Sequence, residues 1–240
     1  MELLRVKNLS KSFGAITVAE KIDLTISEGD ALGIIGPNGA GKTSLFNLIS
    51  GTLTPDSGRI YLLGKDVTHL SMEKRCRAGL GRTFQIPQPF GEMTVFENCL
   101  VAATSGARRT ERQSYDGCAE ILREMQLLAK ANVLAGRLTL LERKALEVAR
   151  ALCSMPRVLL LDEIAGGLTD AEASELVETI RHVHRRGTAI VWIEHIVHAL
   201  LAVVNRLIVL NFGVKVMEGE PAEVMKSAEV KRIYMGMEAV

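Results

Sequence analysis

The chain has 240 residues, 48% hydrophobic and 24% charged, which is enough apolar material for one large buried core and excludes disorder as the dominant state. Lys plus Arg number 29 and Asp plus Glu 28, so the net charge of +1 carries no electrostatic footprint for nucleic acid or an anionic membrane. No run reaches the roughly 18 uninterrupted apolar residues of a spanning helix. The richest, from Ile196 to Leu210, is broken by His198, Asn205 and Arg206.

In chain order, MELLRVKNLSKSFG lacks the apolar stretch of a signal peptide, and residues 3–9 predict a strand. Ile22, Leu24 and Ile26 alternate with polar residues, as a half-buried strand would. Residues 31–35 are a bare apolar run suited to a strand covered on both faces. A Gly-rich turn and a helix from Lys42 to about Ser50 follow. Thr54-Pro55-Asp56-Ser57-Gly58 then marks a turn, with a strand over 59–63.

From about Ile86 to Ser154 the periodicity becomes helical, as at Ile121, Leu122, Met125 and Leu128, or Leu146, Ala149, Ala151 and Leu152. Residues 158–161 are again strand-like. A helix over about 171–186, a strand over 188–193, a shorter helix from about His195 and a short helical tail after Glu220 complete the reading. Strands alternating with helices predict βαβ units: an α/β core with a mostly parallel sheet and a helical insertion. Cys76, Cys99, Cys118 and Cys153 form no CxxC pair and have no His at ligand spacing, which predicts reduced cysteines in an intracellular chain.

The strongest chemical signal is Gly36-Pro37-Asn38-Gly39-Ala40-Gly41-Lys42-Thr43, followed by Ser44, between an apolar strand and a helix. Glycines there let the backbone curl so that N–H groups converge on phosphate oxygens, and the helix dipole adds positive potential. Lys42 would reach the β- and γ-phosphates, and the Thr43 hydroxyl would ligate Mg²⁺. The second signal is Asp162-Glu163 at the end of an apolar strand. Two carboxylates are expensive there unless they face a metal or a reactive water. Asp162 suits the Mg²⁺ shell, and Glu163 could polarise the water that attacks the γ-phosphate. These residues predict binding of a nucleoside triphosphate.

The order GPNGAGKTS, RTFQ (Arg82, Thr83, Phe84, Gln85), a helical insertion ending LEVARAL, then LLLDE and IEH (Ile193, Glu194, His195) resembles an ABC-type ATPase subunit over nearly the whole chain. The resemblance implies a P-loop NTPase (RecA-like) core with a mostly parallel sheet, an N-terminal antiparallel β part and an inserted helical subdomain. It places the core at 1–85 and 156–240 and the helical subdomain at 86–155. It implies ATP and Mg²⁺ as ligands, Gln85 linking the Mg²⁺ site to the helical insertion, His195 on the γ-phosphate and an adenine-stacking aromatic at Phe13. The partners it implies are a second ATPase subunit, transmembrane permease subunits and, indirectly, a substrate-binding protein, with the chain peripheral on the inner face of the cell membrane. The stretches RTFQIPQPFGEMTVFENCLVA and DEIAGGLTDAE, with the C-terminal run from Ile193, resemble the ATPase subunits of branched-chain amino-acid importers.

One segment departs from that pattern. Where the family carries a Ser, two glycines and a Gln that act in trans on the partner's ATP, this chain has Thr139, Leu140, Leu141 and Glu142. Thr139 keeps the hydroxyl, whereas Leu140 and Leu141 replace residues whose missing side chain admits close approach to phosphate. The same four residues form an S/T-x-x-E capping box, which preserves a helix start. Ile164 stands where a Pro is usual, and Thr169 where an inter-subunit Asp or Asn is usual. An ATPase motor of an importer, an ATP-binding regulatory subunit with little hydrolysis, and a non-transport ABC ATPase are all compatible with these residues.

Overall fold

The structure is a computed structural model that describes residues 1–235. Strands β1 (Glu2–Phe13), β2 (Ile16–Ser27), β4 (Ser57–Leu62) and β5 (Lys65–Asp66) form an antiparallel sheet in the order β2-β1-β4-β5. Alternation drives it: Leu4, Val6, Leu9, Ile22, Leu24 and Ile26 point to one buried face. The first two strands are longer than the sequence predicts, because pairing with each other and with β4 carries the exposed or half-buried ends Ser10–Phe13 and Ile16–Val18 into the ladder.

The second sheet has the order β10-β9-β3-β8-β7-β6, where β3 is Ala31–Ile35, β6 is Leu80–Arg82, β7 is Val158–Asp162, β8 is Ala189–Ile193, β9 is Arg206–Asn211 and β10 is Val214–Gly219. Only β10 runs antiparallel to its neighbour. Every residue of β3, β7 and β8 is buried, because both faces are covered. Leu32, Ile34, Leu160, Val191 and Ile193 face a core shared with the antiparallel sheet and with Phe46 of α1 (Lys42–Ser50). Ile35, Leu159, Leu161, Ile190 and Trp192 face the opposite core.

That second core takes in α3 (Val95–Ser105), α4 (Glu111–Glu124), α5 (Leu140–Cys153), α6 (Asp170–Arg185) and α7 (Val197–Leu201). Between Ile86 and Ser154 the described residues form helices joined by loops, with no strand and one isolated bridge, Thr94 to Leu134. The short α2 (Met72–Arg77) precedes β6, and α8 (Pro221–Lys226) and α9 (Ala228–Met235) close the described chain. The sequence reading passed over β6, β9 and β10. Three-residue β6 is too short for a period to register, and β9 lies inside the apolar run that also supplies α7. The four strands β3, β6, β7 and β8 are mutually parallel, so their carboxyl ends open on the same edge of the sheet.

Candidate active site

The loop after β3 is held by backbone contacts that only glycine permits. A Cβ on Gly41 would lie 2.2 Å from the Val18 carbonyl oxygen, and one on Gly36 would lie 2.2 Å from that of Leu210. Gly36, Gly39 and Gly41 all have positive φ, at 157°, 80° and 97°. Gly39 differs from the other two in that nothing lies within 4 Å of its missing Cβ, so its side faces open space. The Ala40 N–H donates to the Pro37 carbonyl at 3.1 Å and the Ala40 carbonyl accepts from Gly213 at 2.9 Å, which clamps the loop against the β9–β10 turn.

Gly41→Ala is therefore expected to lower the melting temperature well beyond Gly39→Ala. Both carry the positive-φ cost of about 1–3 kcal/mol, but only Gly41→Ala adds the clash. Thermal unfolding of the two variants without nucleotide checks this, and equal losses would contradict it.

Helix α1 starts at Gly41 with no side-chain cap and no acidic residue in its first turn, whereas α3, α4, α5 and α6 each close their own N-terminus with a capping box. The first-turn N–H groups of α1 are thus available to an anion. Lys42 is buried, and its ammonium donates to the Gly36 and Pro37 carbonyls at 2.7 and 3.1 Å. Burial lowers its pKa, against the pull of Glu163 and Asp162. Asn38 and Thr43 are exposed, and Ser44 is half-buried.

Asp162 ends β7 with its side chain almost wholly buried, paired to Arg82 at 3.1 Å. Arg82 also donates to Asn47 at 2.8 Å and to Ser50 at 2.7 Å, tying β6, α1 and β7 together. Burial pushes the Asp162 carboxyl up, and Arg82 opposes that. The second oxygen, Oδ1, is buried and accepts no hydrogen bond. An orphaned carboxylate oxygen in reach of the Lys42 charge fits a hard, oxygen-ligated cation such as Mg²⁺.

Glu163, Gln85 and His195 converge. The Gln85 amide donates to Oε2 of Glu163, and His195 Nε2 lies 2.8 Å from Oε1. Glu163 has φ 48°, which is strained for a residue with a Cβ, and its N–H donates to the Ile193 carbonyl at 2.9 Å. A carboxylate oriented on both oxygens is arranged to accept a proton from a water on its open side. Gln85 touches Glu163 rather than Asp162.

Phe13 is exposed at the end of β1, with the Lys11 ammonium 5.4 Å from its ring centroid. It pairs with Ile16, two residues before the Val18 carbonyl that abuts Gly41, so its hairpin end adjoins the phosphate loop. Thr139, Leu140, Leu141 and Glu142 form no part of this cluster. The capping box is present: Thr139 Oγ1 accepts from the Glu142 N–H at 3.4 Å, and the Thr139 N–H donates to Glu142 at 3.0 Å. Glu142 also pairs with Lys130, and Leu140 is exposed. Thr169 caps α6 in the same manner.

Two buried polar residues beside the cluster, Lys144 and Glu194, had no assigned role in the sequence reading. Glu194 carried a signal as a charge directly after the apolar run of residues 189–193, whereas Lys144, in the charged run Glu142-Arg143-Lys144, carried none. Arg82 was visible only as part of RTFQ.

The profile of the ABC transporter family matches residues 19–166. The chain belongs to that family. This ABC ATPase subunit is 33% identical over 249 residues to the high-affinity branched-chain amino acid transport ATP-binding protein BraF of Pseudomonas aeruginosa, covering 98% of each chain. It is 34% identical over 239 residues to the lipopolysaccharide export system ATP-binding protein LptB of Acidithiobacillus ferridurans, covering 98% of this chain and 97% of that one. Its fold matches the crystal structure of a nucleotide-free ATP-binding cassette from an ABC transporter, with a TM-score of 0.89 at 30% identity over 99% of this chain and 100% of that one. An ADP-bound conformation of an ABC transporter cassette gives the same TM-score at 31% identity, again covering 99% and 100%. The chain is thus an ATP-binding subunit with ATPase activity on a P-loop α/β fold.

Proposed function

We propose that this ABC ATPase powers an importer for a small polar solute of the branched-chain amino-acid type. The observation that carries the hydrolytic part is the convergence of Gln85, Glu163 and His195 beside the phosphate loop. Residues Gly36 to Ser44 hold the ATP phosphates through backbone N–H groups and the Lys42 ammonium, and Phe13 supports the adenine. Thr43, Asp162 through its free Oδ1, and Gln85 would hold Mg²⁺, which supplies charge neutralisation on the phosphates when bound. Glu163 accepts the proton of the attacking water, held in orientation by Gln85 and His195.

The substrate class rests on the relatives. BraF and LivG of Escherichia coli, the latter 34% identical, are named as branched-chain amino acid transport proteins. LptB, at similar identity, is named for lipopolysaccharide export. No helix among the described residues is long and apolar enough to cross a membrane, and the reading assigns the membrane path to separate permease subunits. A groove of about 520 Å³ lined by Met72, Phe84, Phe90, Val101 and Arg150 is the docking surface we assign to them. Arg150 stabilises its rim, donating to the Gln88 carbonyl at 2.9 Å and lying 5.1 Å from the Phe90 ring centroid. The segment 86–155 would pass dimer closure to that partner, holding the whole chain on the inner membrane face.

Co-expression with candidate permease subunits, followed by ATP-dependent uptake of labelled leucine into proteoliposomes, tests the importer reading. Efflux, or no response to any amino acid, would overturn it.

A second reading, of weak hydrolysis in a homodimer, is favoured by one observation. The N-terminus of α5 is closed by its own Thr139–Glu142 box, leaving less positive potential for a partner's phosphate. Under that reading, Leu140→Gly with Leu141→Gly raises steady-state turnover several-fold, at some cost in stability because Leu141 packs against the core. Unchanged or lower turnover in the folded double variant would count against it.

A further inference from the structure

Three segments meet behind Glu163, and two buried charges join them. Glu194, 1% exposed, follows β8 directly. One of its oxygens accepts from the Ala165 N–H at 2.8 Å, and the other accepts from the His195 N–H at 3.3 Å. A single carboxylate therefore grips both the turn after Glu163 and the residue that contacts Glu163. Lys144, 3% exposed, reaches toward the same turn from α5, its Nζ 3.5 Å from the Glu163 carbonyl oxygen. The charges of Glu194 and Glu163 both act on it. Leu140, at the start of that helix and exposed, lies beside the same turn, its Cδ2 3.4 Å from where a Cβ on Gly167 would be.

Burying a carboxylate and an ammonium is costly, and a neutral Gln could accept one of the two N–H bonds without that cost. Burial pushes the Glu194 carboxyl up to about 7 and lowers Lys144. Among the described residues the Lys144 and Glu194 side chains hydrogen-bond only the Glu163 turn and His195, not the phosphate loop, so both act through other groups. What the two side chains do is fix relative position.

We infer that Glu194 is a positioning residue for hydrolysis: it holds His195 and the Glu163 turn in one register, and with Lys144 it ties that register to α5, whose N-terminus carries Thr139 to Glu142. The half-site this chain uses itself and the segment it presents to a partner are then coupled through two buried charged side chains that hold the same turn. The inference rests on the roles given above to Glu163 and His195.

The test compares Glu194→Ala, Glu194→Gln, Lys144→Met and Glu194→Ala/Lys144→Met in the full chain, with Glu163→Gln as a control. In Glu194→Ala, kcat falls about tenfold or more, while the Kd for a fluorescent ATP analogue and the KM stay within about twofold. Glu194→Gln, which keeps one acceptor, recovers part of the loss. The double variant is no worse than the more impaired single one, because both act on one register. Amide hydrogen exchange quickens at Ala165 and His195 in Glu194→Ala, while the amides of β3 keep their protection. A kcat near wild type in Glu194→Ala, a loss shared equally by nucleotide affinity, or unchanged exchange at those two amides overturns the inference. Should Glu194→Ala fail to fold, Glu194→Gln decides by the same readouts. If Glu163→Gln leaves hydrolysis intact, the site assignment itself fails. If it abolishes hydrolysis while the Glu194 variants behave as wild type, only the positioning role fails.

Discussion

Glu163→Gln is expected to lower steady-state ATP hydrolysis by at least about 100-fold, the range lost with a positioned general base, while nucleotide still binds. The amide is isosteric, so it can keep a hydrogen bond to Gln85 and to His195, but it has no oxygen basic enough to take a proton. Binding should survive because the proposed phosphate site lies on another element, the loop of Gly36 to Gly41 with Lys42, whose geometry does not depend on the Glu163 carboxylate. Hydrolysis measured across a range of protein concentrations, alongside binding of a fluorescent ATP analogue, checks both halves. Turnover in the variant within a few-fold of wild type would remove Glu163 from the mechanism. Wild-type turnover that rises with concentration would mean that the chain pairs with itself and tolerates Leu140 and Leu141. Wild-type turnover no higher than the variant's, with nucleotide bound, would point instead to a partner with a different signature.

Arg82→Met is expected to cost about 3–5 kcal/mol of folding stability, the loss typical when one member of a buried ion pair is removed. The methionine fills most of the arginine stem's volume yet leaves Asp162 buried without its counter-charge, and Asn47 and Ser50 lose their donor. The pH dependence gives the prediction a second edge. Burial already raises the Asp162 pKa and Arg82 opposes the rise, so in the variant it climbs further. A carboxyl raised in the folded state binds its proton there more tightly than in the unfolded chain. Stability is then fully present below the unfolded value and is lost as pH rises through the folded one. The deficit against wild type should be larger at pH 8 than at pH 5, read from urea denaturation. A loss under about 1 kcal/mol, or one equal at both pH values, would mean that the pair is solvated and structurally minor.

Much of the site was legible because its chemistry is local. Gly36 to Thr43 is a contiguous motif, and Asp162-Glu163 closes a bare apolar strand, so residue type and spacing suffice to name them. Gln85 and His195 were visible only as members of an ordered set of motifs, since a lone Gln or His carries no signal. Arg82, Lys144 and Glu194 were not assigned roles, because each is defined by what lies far away in the chain. Arg82 faces a carboxylate 80 positions on, and Glu194 grips an amide 29 positions back. β6 escaped for a related reason: three residues become a strand only because β7 pairs with them.

The sequence by itself determined the class of fold, the phosphate loop and the identity of the carboxylates, because hydrophobic period and glycine placement act within a few residues of one another. Only the tertiary structure decided that the Gln85 amide and the His195 ring meet on the two oxygens of Glu163, and that Thr139 and Glu142 close their own helix. It also decided that one buried oxygen of Asp162 is left without a partner. Those outcomes depend on parallel strands bringing their ends to one edge of a sheet, and on whether a buried polar group finds a donor there. Neither quantity is written in any local stretch of the chain.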